Sequence, residues 1–230
     1  MKTLVIYSGQ ARTFKQTVNS HWFRLLRHLD NPTVIVSVAD DEQAGDMRIL
    51  ERLVDDVHFE FVTQPTVKEP EMMPGMLGMY PPSTDAQGIL RQLWSLNRAW
   101  QFAQEKVNVG KYDVVIRIRP DLALDRVVIP AMIMPQDCFT PWWGCWGGVN
   151  DRFAIMGLLA APHYFITWTS LDHFISNGCP LHPETLVYES LSLSGVRIHR
   201  TLEAEFVTLR LDGSVIPMSV TATDLAYFRP

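Results

Sequence analysis

The first half of the chain alternates short β-branched runs with helical stretches, and this alternation narrows the possible folds more than any other feature. Residues 4–7, 33–38, 57–62 and 114–118 read as buried strands. Between the first two, Phe14, Val18, Trp22, Leu25 and Leu29 mark one helical face. A second helix is expected over 42–54. A third runs from a cap at Ser83 or Thr84 to about Lys106, with a stripe of Ile89, Leu93, Leu96, Trp100, Ala103 and Val107. The order β-α-β-α-β-α-β implies an α/β fold, a mostly parallel sheet flanked by helices. Ligands of open α/β sheets sit at the carboxyl ends of strands, so the residues after each run are the candidates for chemistry.

The central run, 114–118, carries Arg117 and continues into Arg119, Pro120, Asp121 and Asp125. Pro120 lacks a donor and stops the ladder. Two guanidiniums and two carboxylates at one strand end suit a phosphate and a divalent metal. A salt bridge closing the strand end accounts for the same residues without a ligand. The first run ends at Ser8-Gly9-Gln10-Ala11-Arg12-Thr13, a strand–turn–helix opening whose free amides can hold an anion, with Arg12 adding a charge. It has one glycine rather than three, so Gly9 alternatively serves only the turn. Asp40 and Asp41 end the second run, where a carboxylate either bonds a ribose or base or caps the next helix.

Residues 64–82 hold Pro65, Pro70, Pro74, Pro81 and Pro82 with several methionines and Tyr80, which suits a lid, a partner surface or ordinary packing. After Asp125 short strands are expected at 126–130 and 137–140. The stretch 141–148 contains Trp142, Trp143 and Trp146 among three glycines. Trp143 and Trp146 are acceptor-side candidates, because indoles stack on sugar-like faces; a loop plugging the core fits equally well. Asn150, Asp151 and Arg152 precede an apolar run at 153–156. A helix is expected over 162–176. A further helix begins near Pro183, with Glu184 complementing its dipole, and ends at Gly195. Strands are expected at 196–199 and 206–211, and 221–230 gives no signal.

A net charge of −5 and a pI near 5.8 argue against a general nucleic-acid surface. The basic residues are mostly arginines, the better planar forks for phosphate. Three cysteines without C-x-x-C give neither a zinc signature nor a disulfide framework and point to a reducing compartment. No apolar run is long enough for a membrane span, and the first apolar stretch is too short for a signal-peptide core.

Taken in order, the S-G-Q-x-R-T opening, the Q-x-x-x-L helix, Y-D-x-V-I-R-x-R-P-D-L, N-D-R-F and H-P-E-x-L resemble small GT-A-type glycosyltransferase-like proteins of polysaccharide loci and large viral genomes. The resemblance implies one GT-A-like domain over 1–230, with a nucleotide-binding half at 1–125 and an acceptor half at 126–230. It implies transfer of a sugar from a nucleoside-diphosphate sugar to a glycan or small-molecule acceptor, in the cytoplasm (the host cytoplasm for a viral protein). Ser8, Gly9 and Arg12 would meet the nucleotide or phosphates, and Asp40 the base or ribose. Asp121 would stand at the metal-binding acid, with Mn²⁺ or Mg²⁺ bridging the diphosphate. Asp151, with Asn150, falls at an acceptor-side or base position, and His182 and Glu184 would close the site. The usual D-x-D is replaced by Asp121 and Asp125, which lie about 13 Å apart on a continuous strand. Arg117 and Arg119 are therefore the other candidates for neutralising the diphosphate. Two rivals are a nucleotidyltransferase, which needs two close metal carboxylates, and a non-catalytic nucleotide- or sugar-binding protein.

Overall fold

A computed structural model describes residues 1–68 and 86–218. Its elements are β1 (Thr3–Gly9), α1 (Phe14–Arg24), β2 (Thr33–Ala39), β3 (Asp56–Val62), α2 (Ala86–Lys106), β4 (Val114–Ile118), β5 (Leu122–Val127), β6 (Asp137–Pro141), β7 (Phe153–Gly157), α3 (Ala161–Phe165), α4 (Leu171–Ser176), α5 (Pro183–Leu193), β8 (Arg197–Leu202), β9 (Ala204–Leu209) and β10 (Val215–Ile216). The expected lid or partner surface at 64–82 lies outside the described residues from position 69 onward, as does the tail from 219.

The expected α/β architecture, a mostly parallel sheet flanked by helices, is what forms. Seven strands lie in the order β3-β2-β1-β4-β7-β6-β8, and only β7 runs against the rest. Strands β1, β2 and β4 are buried along nearly their whole length, as strands covered on both faces must be. One face packs Leu4, Ile6, Ile35 and Val115 against the α2 stripe and α3 to α5. The other packs Val5, Tyr7, Val34 and Ile116 against Phe14, Val18 and Leu25. A second, antiparallel sheet, β10-β9-β5, lies beside α1.

Several local expectations change. The 42–54 segment is a 3₁₀ helix over Ala44–Arg52 rather than an α-helix. At three residues per turn it aligns Ala44, Met47 and Leu50, all buried, on one edge. The 162–176 helix breaks into α3, a 3₁₀ turn over Ile166–Ser170, and α4. The break falls at Ile166, Thr167 and Thr169, whose branched side chains disfavour a continuous helix. The strand expected at 126–130 is β5, which starts directly after Asp121 and turns its Leu122 and Leu124 inward. The strand expected at 206–211 ends at Leu209, because Arg210 begins the hairpin turn into β10.

Helix α1 holds the turn that ends the central strand. Thr17 Oγ1 donates to the Pro120 carbonyl at 2.7 Å, and His21 Nε2 donates to the Leu122 carbonyl at 2.6 Å. Because a carbonyl only accepts, His21 Nδ1 must accept from the Tyr7 hydroxyl at 3.0 Å. Burial pushes the His21 imidazole down to about 4, which keeps it neutral. Asp121 is thus pinned from both sides of the chain.

Candidate functional site

Two adjoining cavities open at the carboxyl ends of β1 and β4. The first, of about 250 Å³, is lined by Ser8, Gly9, Gln10, Arg12, Gln64, Gly88, Arg91, Gln92, Arg117, Arg119 and Asp121. The second, of about 350 Å³, shares Arg12, Gly88, Gln92 and Arg119 and adds Asp151, Arg152, Glu184, Thr208 and Arg210. Together they set six arginines against three carboxylates in a chain of net negative charge. Such a concentration of guanidiniums favours an anionic ligand.

The loop after β1 delivers Arg12 by an unusual backbone path. Gly9 has φ of 113° and Arg12 has φ of 41°, both in the left-handed half of the map. Arg12 Nε donates to Gln10 Oε1 at 2.7 Å, and its Nη1 reaches Asp121 Oδ2 at 3.2 Å. Arg119 grips the same carboxylate with a two-pronged contact, Nε to Oδ1 at 3.0 Å and Nη2 to Oδ2 at 2.5 Å. Burial pushes the Asp121 carboxyl up, but the Arg119 charge and hydrogen bonds, helped by Arg12, hold it below the ordinary range. Burial likewise lowers Arg119, and Asp121 more than offsets it.

The second cavity treats its acids differently. Gln92 on α2 donates to Asp151 Oδ2, fixing the carboxylate beside Arg152, whose Nε lies 3.8 Å from Oδ1. Glu184, in the first turn of α5, has Arg152 Nη2 at 3.9 Å and His182 Nε2 at 3.4 Å. Burial first, and the Asp151 charge second, push the Glu184 carboxyl well up, so it keeps its proton. The His182 imidazole is lowered by burial. Gly148 makes this placement possible. The Glu184 carbonyl, which accepts from Val149 N at 3.0 Å, would stand 2.0 Å from any Cβ at position 148.

Of the residues expected from sequence, Ser8, Gly9, Arg12, Arg117, Arg119 and Asp121 converge on the first cavity, and Asp151 and Glu184 on the second. The others line neither cavity. Trp143 is 1% exposed, donates from Nε1 to the Ala204 carbonyl at 2.9 Å and packs on Phe206, so it is a core plug and not an acceptor platform. Trp146 sits on a left-handed turn outside both cavities. Asn150 is buried and spends its amide on the Trp143 carbonyl and its oxygen on Arg152 N, which shapes the loop. His182 lies behind Glu184 and bonds Thr185 Oγ1 at 3.1 Å. Asp40 is exposed at the end of β2 and lines neither cavity, while Asp41 accepts from Gln43 N in a turn.

Sequence reasoning underused Gln92, which opens the Q-x-x-x-L stretch of α2, and Arg152, already inside N-D-R-F. It missed Arg91 and Arg210. Arg210 comes from the β9–β10 hairpin, nearly ninety positions after Asp121, and carries no local motif.

The divalent metal implied by the resemblance does not find a ready donor set. Both Asp121 oxygens are taken by guanidiniums. Asp125 is 79% exposed on β5 and lies 3.8 Å from Arg24. Among the described residues no group of three His, Cys, Asp or Glu could hold a metal ion. Among the same residues no helix is long and apolar enough to cross a membrane.

Comparison with known proteins gives little at the level of sequence: no family model and no curated protein matches. Among solved structures the chain is similar to mouse xyloside xylosyltransferase 1 in its apo form, at 9% identity and a TM-score of 0.45, over 87% of this chain and 84% of that one.

Proposed function

We propose that this chain is a glycosyltransferase that moves a sugar from a nucleoside-diphosphate sugar to an acceptor hydroxyl. The observation that carries the reading is the pair of joined cavities at the strand ends: one walled by guanidiniums, the other by Asp151 and the buried Glu184. The ordered GT-A-type motifs of the sequence support it independently.

In this reading the diphosphate lies in the first cavity and the acceptor in the second. The bond from the sugar's anomeric carbon to the diphosphate oxygen breaks as the acceptor oxygen bonds to that carbon. Charge gathers on the departing diphosphate, where preorganised donors lower the barrier most. Arg12, Arg117 and Arg119 stand there. In an inverting displacement the acceptor proton passes to Asp151, which Gln92 and Arg152 hold in place. Glu184, being protonated, donates a hydrogen bond to an acceptor oxygen and does not compete for the proton.

The test is turnover: a panel of UDP-, GDP- and CMP-linked sugars is incubated with simple glycosides, and release of the nucleotide is followed. Release from one donor, raised by one class of acceptor, is the expected result. Absence of release from every donor that binds would favour the non-catalytic binding protein. The commitment of Asp121 to two arginines is the specific observation in that rival's favour.

A further inference from the structure

We infer that the first cavity is a preformed, metal-free receptor for a diphosphate, in which Arg117 is the buried charge awaiting its counter-ion. This rests on the donor reading above and adds how the donor's charge is met.

Arg117 lies on the central strand and is 1% exposed. Its Nη1 donates to the Arg152 carbonyl, its Nε has no hydrogen-bond partner, and among the described residues it forms no salt bridge with any carboxylate. A buried cation without a counter-charge is costly unless something else supplies the charge. Burial pulls its guanidinium down from the ordinary arginine value, and the charges of Asp151 and Asp121, neither in a salt bridge with it, offset this only in part. The Ser8 hydroxyl, 1% exposed, likewise has no partner among the described residues.

The register aims both at one place. Ile6 on β1 pairs with Arg117 on β4, and Ser8 lies two residues beyond Ile6, so both side chains leave the same face of the sheet. That face is covered by α2, which brings Arg91 and Gln92 to the opposite wall. Two unsatisfied buried polar atoms on one face, opening into one cavity, describe a site built for hydrogen-bond acceptors. Among the described residues, the one carboxylate lining the cavity, Asp121, already balances Arg12 and Arg119. Among the described residues Arg117 and Arg91 remain without one, and Arg91 donates to the Pro65 carbonyl at 3.3 Å. A ligand with two linked anionic phosphates would meet both and accept from Ser8. The residue that a metal would need as its ligand instead fastens guanidiniums to the cavity wall.

The probe is inorganic pyrophosphate, titrated in EDTA and followed by thermal shift and calorimetry. Saturating pyrophosphate is expected to raise the melting temperature by about 5 °C, with no further gain from Mn²⁺. Arg117→Met is expected to leave the unliganded melting temperature unchanged or higher, since it removes an uncompensated charge, and to weaken pyrophosphate roughly 10- to 100-fold. Ser8→Ala, a milder change, should cost about 5-fold in affinity without lowering unliganded stability. Two results would overturn the inference: a pyrophosphate shift that appears only with Mn²⁺, or unaltered affinity in both variants. Nucleoside diphosphates that stabilise only with Mn²⁺ would sink this inference and leave the donor reading standing. Pyrophosphate binding in EDTA without any nucleoside diphosphate binding would uphold the receptor and sink the donor reading.

Discussion

Two corners of one cleft hold buried acids whose proton affinities are shifted in opposite directions. Asp121 is 1% exposed, Glu184 is 7% exposed, and burial raises the proton affinity of both. Asp121 ends up below the ordinary carboxylate range because two guanidiniums touch it. Glu184 ends up well above because burial, the largest cause, is joined by the like charge of Asp151, while its nearest guanidinium is 3.9 Å away. With burial raising both, the guanidiniums beside Asp121 reverse the direction there and nothing comparable does so at Glu184. The first corner is arranged to stay put, the second to move or share a proton.

Variants can break that contrast. The largest effect is expected at Asp151, the proposed base: Asp151→Asn should lower turnover about 100-fold or more while nucleotide affinity stays within a few-fold. A parallel loss of affinity, read by calorimetry, would instead place Asp151 in donor binding. At the other corner, Asp121→Asn removes the shared counter-charge of Arg12 and Arg119. It should destabilise the fold by about 3 kcal/mol in denaturant titration, since a broken buried pair leaves its partner uncompensated. A stability change under about 0.5 kcal/mol would mean that the clamp is not holding the cleft together. Gly148→Ala is expected to cost about 2 kcal/mol by pressing a methyl into the Glu184 carbonyl, with reduced turnover as α5 shifts.

The pH dependences should run in opposite directions, with smaller amplitudes. The raised Glu184 contributes stability that is fully present below the ordinary carboxylate range and is lost as pH rises through its own higher value. The depressed Asp121 contributes stability that is present above the ordinary range and is lost as pH falls through its lower value. Denaturation midpoints taken from about pH 3 to about pH 9 should therefore show Glu184→Gln flattening the upper limb and Asp121→Asn the lower. Exchange of those two outcomes would contradict the assignments.

Much of this cleft was legible in the sequence because it is built at strand ends. An apolar run that meets Arg119, Pro120 and Asp121 announces both a buried strand and its termination, and strand ends are where an α/β sheet presents ligand groups. The two readings of Trp143 stayed open in the sequence because composition cannot separate a stacking platform from a core plug. That difference lies in the long-range contact with Ala204 and Phe206. Asn150 failed as a site residue for a related reason: its amide turns back to the loop carbonyl of Trp143, a pairing that no spacing rule reveals. Arg210 was invisible because its place is set by a hairpin that docks on Asp121 through backbone bonds such as Leu209 N to the Asp121 carbonyl, at 2.9 Å.

The most direct test of the account is binding of nucleotides to the unaltered chain. Melting temperatures are measured with UDP, GDP, CMP, their sugars and the corresponding nucleosides. One nucleoside diphosphate and its sugar should raise the melting temperature by several degrees, and the nucleoside alone should do little, because on this account the donors lining the cavity are met by the phosphates. No shift with any nucleotide, or an equal shift with the bare nucleoside, would contradict the claim that the arginine-lined cavity is a donor site.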